Sequence, residues 1–254
     1  MFLKVINCNK TFDVNLMLSD SFNVVDAVGL KKMSYIFNIM LKMICLFTVG
    51  LFVMSLGVAF SIVSTLGTTP ISSISYSLTL ITNINIGITT FVFNAALILI
   101  QFLILMSKFK KKRLLQFINC VLFGYFTDLA LYLVSFVPFD NTILFSVLFL
   151  VISIFLIALG IFIYLPANIA PLPGEGCVEA IAIVTGWRFS TIKIAFDATM
   201  VIISLIMCGL FYTSIFGAVN VGTIISAFMV GFTLRQISNL YFKLTGKRIN
   251  VVNQ

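Results

Sequence analysis

The chain contains no histidine. That single absence removes histidine-based catalytic triads, histidine metal sites and histidine proton relays. Charge is scarce too. Only 9% of the residues are Asp, Glu, Lys or Arg, against about 25% in a soluble domain. Such a chain lacks the polar surface to stay in water, and 61% hydrophobic residues with a mean hydropathy of +1.17 make it an integral membrane protein. No CxxC pair occurs among Cys8, Cys45, Cys120, Cys177 and Cys208. Cys45, Cys120 and Cys208 fall inside apolar spans, where a small thiol packs as a hydrophobe. There is no GxxxxGK[ST] phosphate loop, which argues against an ATPase in this chain. No nucleophile stands beside a paired acid and base, so neither a membrane enzyme nor a cofactor or metal site is expected. A formal charge of +8 does not point to nucleic acid, because the basic residues sit between apolar spans rather than along one soluble face. In a membrane protein that pattern reports orientation.

Residues 1–33 are mildly polar, with Asp13, Asp20 and Asp26 among isolated apolar residues. They read as a cytoplasmic N-terminal extension without a signal-peptide pattern; a second reading starts translation at Met33. A single membrane domain follows over 34–243, then a cytoplasmic tail over 244–254. The hydropathy places six spans at about 35–64, 87–106, 114–136, 142–165, 190–212 and 219–242, each long enough to cross a bilayer. In the first span Gly50, Gly57 and Ser61 put small residues on one face, as closely packed membrane helices require. Two stretches differ. After Leu66-Gly67-Thr68, Thr69 suits an N-cap and Pro70 the first helical position, and Asn83 can end the helix in a left-handed conformation. The second stretch, Pro173 to Thr185, stops at Gly186. About 13 residues at 1.5 Å each give ~20 Å, short of the ~30 Å hydrocarbon core, so both helices should be re-entrant or interfacial.

The two stretches belong to an internal repeat. A shift of 103 residues, which carries Pro70 onto Pro173, also pairs Leu56-Gly57 with Leu159-Gly160, Thr82 with Thr185, Asn83 with Gly186, Phe93 with Phe196 and Asn94 with Asp197. A shift of 107 pairs Cys120, Gly124 and Asp128 with Ala227, Gly231 and Arg235. The expected fold is therefore an all-α membrane protein. Six transmembrane helices and two short helices form two inverted three-span repeats, 35–136 and 142–243. If the short helices do not cross, Lys31, Lys32, the 108–113 cluster, Arg188, Lys193 and the C-terminal basic residues share one side. Residues 65–86, 137–142 and 213–218 on the other side hold no lysine or arginine. The positive-inside rule then makes both termini cytoplasmic. Inverted repeats with interrupted helices are shared by many secondary transporters.

Ionisable side chains within the bilayer cost about 2.5–3.5 kcal/mol on insertion scales and default to a functional reading. Asp197 and Arg235 both lie about four residues, ~6 Å, to the cytoplasmic side of the midplane. They are expected to meet as an ion pair between spans five and six, with Asn94 and Asp128 as the pseudo-symmetric contact on the outer side. Structural glue between spans is the bland alternative for both. Asp128 has no assignable cationic partner, and proton coupling is its functional reading. At the short-helix entrances, free N–H groups and positive dipole ends suit polar or anionic groups. Thr68, Thr69, Ser72 and Ser73 add hydroxyls in the first copy. Glu175 and Glu179, one turn apart in the second, favour a cation or a partner's basic residue. Capping, dipole compensation and close packing are the plainer accounts of these residues.

The segments LGTTPISSI (66–74), LFGYFTDL (122–129), LPGEG (172–176), KIAFDATMV (193–201) and GTIISAFMVGF (222–232) together resemble the bacterial YczE/YyaS/YitT group of integral membrane proteins, over roughly 43–242. The resemblance implies a plasma-membrane, transporter-like protein and carries over no binding residue. The leading expectation is a secondary transporter or permease for an unidentified small molecule. The alternatives are a non-transporting protein that supports a membrane partner complex, and the substrate-binding membrane subunit of an energy-coupled importer. The bilayer is the implied environment, and whether the chain also pairs with a second copy or another membrane protein stays open.

Overall fold

The computed structural model describes residues 29–106, 109, 111–138, 142–167, 169–212 and 216–246. Residues 1–28, Asp140 and Asn141 of the expected turn, and Lys247 and Arg248 of the tail lie outside the described residues. The chain is all-helical among the described residues, in the order α1 (Gly29–Val63), α2 (Pro70–Thr82), α3 (Ile86–Leu105), α4 (Gln116–Val134), α5 (Ile143–Tyr164), α6 (Pro173–Thr185), α7 (Phe189–Phe211) and α8 (Val221–Thr245). Short 3-10 turns at Lys111–Leu115 and Leu165–Ala167 precede α4 and extend α5. Among the described residues six helices are long and apolar enough to cross a membrane; α2 and α6 are not among them.

The two 13-residue helices begin and end alike. Thr69 and Leu172 are extended, Pro70 and Pro173 supply a preset φ at the first turn, and Asn83 (φ 57°) and Gly186 (φ 72°) close the last turn left-handed. Both ends therefore follow the sequence expectation. Thr69 departs from it in one respect. Its side chain makes no cap bond and instead donates to the Ser72 hydroxyl at 2.9 Å.

Apolar faces gather the helices into two blocks. In the first, Phe47, Leu51 and Val58 of α1, Phe123 of α4, and Ile157 and Tyr164 of α5 form one core, with Val230 of α8 against it. In the second, Ile74 of α2, Leu97 of α3, Cys177 and Val178 of α6, and Ile192, Phe196 and Met200 of α7 form another. Pairings between helices recur in matching sets. The α1–α4 packing has its counterpart in α5–α8, α2–α7 in α6–α3, and α2–α3 in α6–α7, while α1 and α5 run along each other. Gly57 of α1 faces the backbone of Ser153 and Ile157 in α5, and Gly160 of α5 faces that of Gly50 and Met54 in α1. These glycines let the two backbones touch, as the small-residue face of the first span anticipates.

One pairing has no counterpart. The blocks are joined along α3 and α4, where Gly87 and Gly124 bring the two backbones together. Helices α7 and α8 make no comparable contact. Gly231, at the position in α8 that matches Gly124, has nothing within 4 Å of where a Cβ would stand. Ile224, Phe228 and Phe232 on α8 are exposed.

Candidate functional site

The expected site residues separate into four places. The first is the entrance of α2, which is sealed. Thr68 is fully buried, and both its N–H and its hydroxyl donate to the Ala218 carbonyl, at 3.2 and 3.3 Å. The Gly222 N–H donates to the Leu66 carbonyl at 2.7 Å, and Ser61 to the Gly67 carbonyl. Ser73 donates to the Pro70 carbonyl, and its own carbonyl accepts from Ser204, which also shares a hydrogen bond with Ser77. The Thr68 hydroxyl is thus spent on the loop before α8 and that of Ser73 on its own helix, while the half-buried Thr69 and Ser72 bond to each other. Asn220 and Thr223 form a capping box at the start of α8, which holds that loop against the entrance.

The second place is the entrance of α6, where charge concentrates. The Tyr164 hydroxyl donates to Glu175 Oε2 at 2.5 Å. Across from it on α7, Lys193 and Asp197 pair at 2.8 Å, one turn apart. Both lie close enough to act on the Glu175 charge. Burial pushes the Glu175 carboxyl above the usual carboxylate range, while the Tyr164 hydrogen bond and the Lys193 charge oppose it. The Lys193 and Asp197 side chains keep 31% and 19% of their surface, so the cluster is partly open. The expected Asp197–Arg235 ion pair is not formed. A parted α7 and α8 cannot bring the two side chains together, and Lys193 is the nearer cation, at the spacing that stacks side chains on one helix face. Arg235 is exposed and makes no ion pair among the described residues.

The third place is Asp128. Its Oδ1 accepts the Gly87 N–H at 2.7 Å, so a carboxylate on α4 satisfies one of the free amides of the first turn of α3. The expected polar contact between Asn94 and Asp128 is absent; Asn94 is buried two turns further along α3. A backbone amide takes the carboxylate, which explains why no cationic partner could be assigned from side chains alone. Asp128 also lines an open cleft of about 600 Å³ between the end of α2, the start of α3 and the end of α4.

The fourth place was missed by reasoning from sequence. Arg113 donates to Gln101 Oε1 at 3.2 Å and to the Gly176 carbonyl at 3.3 Å, and pairs with Glu179 at 3.1 Å. Gln101 Nε2 donates in turn to Gln116 Oε1 and to the Pro173 carbonyl. Asn119 reaches the Ala170 carbonyl nearby. Together they lock the first turns of α6 to α3 and α4. Glu179 therefore already has its basic residue within this chain. Arg113 read as one more charge of a basic loop; its only distinguishing sign is that it stands last, at the edge of the next apolar span.

No curated protein matches this chain, and no solved structure matches it. One family, without assigned function, does match, and the match does not single out the YczE/YyaS/YitT group. The match spans every helix, from within α1 to within α8. On that extent, residues 41–239, the chain belongs to the family of unknown function DUF6198.

Proposed function

We propose that the protein is a secondary transporter or permease for a small molecule in a bacterial plasma membrane. Two inverted three-span repeats alternate access to a site at the entrance of α6. One observation carries this reading: the charged group Glu175, Lys193 and Asp197 spans α6 and α7, and α7 belongs to the one helix pairing, α7–α8, that is parted where its counterpart is closed. The matching pairs of helix contacts support a duplicated unit. Two packings of one unit, closed at α3–α4 and parted at α7–α8, are what alternation between repeats requires. The sealed entrance of α2 is then the shut side and the α6 entrance the open one. The basic residues that flank the spans favour a cytoplasmic position for both termini, and hence for the open side.

The experiment is untargeted metabolite uptake and efflux in cells with and without the protein, joined to cysteine labelling. In a background with the native cysteines replaced by serine, Asp197→Cys and Gly231→Cys should react from the cytoplasmic side with a charged, membrane-impermeant maleimide. At least one metabolite should change its distribution with the protein, and Asp197→Ala should abolish the change. Unreactive cysteines together with unchanged metabolites overturn the proposal. That outcome favours the second reading, in which the exposed face of α8, with Ala227, Gly231 and Arg235 in line, covers a partner helix in the bilayer and the protein transports nothing.

A further inference from the structure

The cleft that Asp128 lines lies at the other end of the chain's first half from the Arg113 network, and the proposed transport site does not use it. Its size, about 600 Å³, falls within the range of small-molecule pockets of ~300–1,000 Å³. No lysine or arginine is among its lining residues, and Asp128 is their one carboxylic side chain. Asp128 Oδ1 holds the Gly87 N–H, which leaves Oδ2 with acceptor capacity to spare. The cleft also receives the end of α2, through Thr79 and Asn83. That last turn carries no basic residue, so the negative end of the helix is not offset. The positive end of α3 meets Asp128 itself. What remains is a negative potential facing the opening, with Tyr76 and Tyr132 among the lining residues. The Tyr132 ring is set edge-on to Phe136, with centroids 5.0 Å apart.

From this juxtaposition we infer that the cleft between the end of α2, the start of α3 and the end of α4 binds a small organic cation of the ammonium type, its charge on Asp128 and its alkyl groups against Tyr76 and Tyr132. An aromatic face attracts such a cation by its quadrupole while shedding less bound water than a protonated amine demands. Carboxylate, helix end and rings all reject an anion. The same chemistry is offered by a free solute and by the headgroup of a zwitterionic lipid, because the cleft opens at an end of the membrane spans.

The test uses the full chain in nanodiscs of phosphatidylglycerol and the probe choline, with 3,3-dimethylbutanol as the neutral probe of the same shape. Choline should bind saturably and the neutral probe should not. Asp128→Asn keeps an acceptor for Gly87 and should weaken choline by about tenfold or more, and Tyr132→Leu by about threefold. Thermal unfolding of each variant reports whether it is folded. If Asp128→Asn fails to fold, Tyr132→Leu, at an exposed position, decides alone. Nanodiscs of phosphatidylcholine separate the sources. Choline binding lost there identifies the lipid headgroup as the occupant, and binding retained identifies a free solute; both support the inference. Equal binding of the two probes, undiminished binding in both variants, or no choline binding overturns it. Because the measurement needs no transport, its failure leaves the transport proposal standing, and the reverse holds as well.

Discussion

Gly160→Leu is expected to leave little folded protein. A Cβ at this position would stand 2.7 Å from both the Cβ and the backbone nitrogen of Met54, and 2.8 Å from the Gly50 carbonyl oxygen. Two of these three atoms belong to a helix backbone and cannot swing aside, so α1 and α5 must move apart. These two helices share the most extensive interface in the protein, and their separation opens the core around Leu51 and Ile157. Overpacking in a core commonly costs 1–3 kcal/mol, and a clash with backbone belongs to its upper tail, about 4 kcal/mol. Gly57→Leu should behave the same way, against Ile157 and the Ser153 carbonyl. The control is Gly231→Leu on α8, where nothing lies within 4 Å; its stability should change by no more than about 0.5 kcal/mol. Monodispersity after extraction and the midpoint of unfolding in SDS measure all three. A Gly160→Leu variant as stable as Gly231→Leu would show that the α1–α5 contact is not close.

Arg113→Ala should cost about 3 kcal/mol, whereas Glu179→Gln should cost less than about 1 kcal/mol. The two residues form one ion pair, but they do not share its surroundings. The Arg113 side chain is 11% exposed and the Glu179 side chain 46%. Removing the glutamate charge loses a pair that water already screens. Removing the guanidinium strips the Gln101 amide oxygen and the Gly176 carbonyl of a charged donor at a buried site. The neighbouring Gln116 amide nitrogen has no hydrogen-bond partner among the described residues, but a neutral amide donor cannot replace the charge that the guanidinium brings to both oxygens. Arg113→Lys should recover less than half of the loss, because one ammonium cannot reach both oxygens and the carboxylate that the fork spans. The same SDS titration reports the three values. Equal losses for Arg113→Ala and Glu179→Gln would assign the arginine to the ion pair alone.

The parts of the architecture set by local chemistry were legible. Hydropathy located the six spans, and a proline at the start with a left-handed residue at the end located α2 and α6 to the residue. The small-residue face of α1 was readable as a contact face, because close approach has a compositional signature. What the sequence did not disclose is which partner each polar side chain takes. Equal depth in the bilayer suggested Arg235 for Asp197, but equal depth does not bring together side chains on helices that do not pack, and α7 and α8 do not. Lys193, four residues before Asp197 in the same motif, was the plain local signal. Asp128 ends on a backbone amide, which every residue possesses and no sequence pattern marks. Arg113 lay inside a run of lysines whose evident role was orientation. Tyr164 is one residue from the end of an unbroken apolar run, so nothing announced that its hydroxyl would meet Glu175.

The two blocks do not correspond to the two halves of the chain. One holds α1, α4, α5 and α8, the other α2, α3, α6 and α7, so the polypeptide changes block at every second connection. This dictates an order of assembly. Each span enters the bilayer as it leaves the ribosome, but α1 has to wait for Ile143–Tyr164 before its main partner exists, and α2 has to wait for Phe189–Phe211. Until then the glycine face of α1 lacks the backbone it packs against, and Ser77 of α2 lacks Ser204. The nascent chain is therefore a membrane-embedded intermediate that any passing helix with small residues can capture. Its yield should depend less on insertion than on how long that interval lasts and on what shields α1 in the meantime.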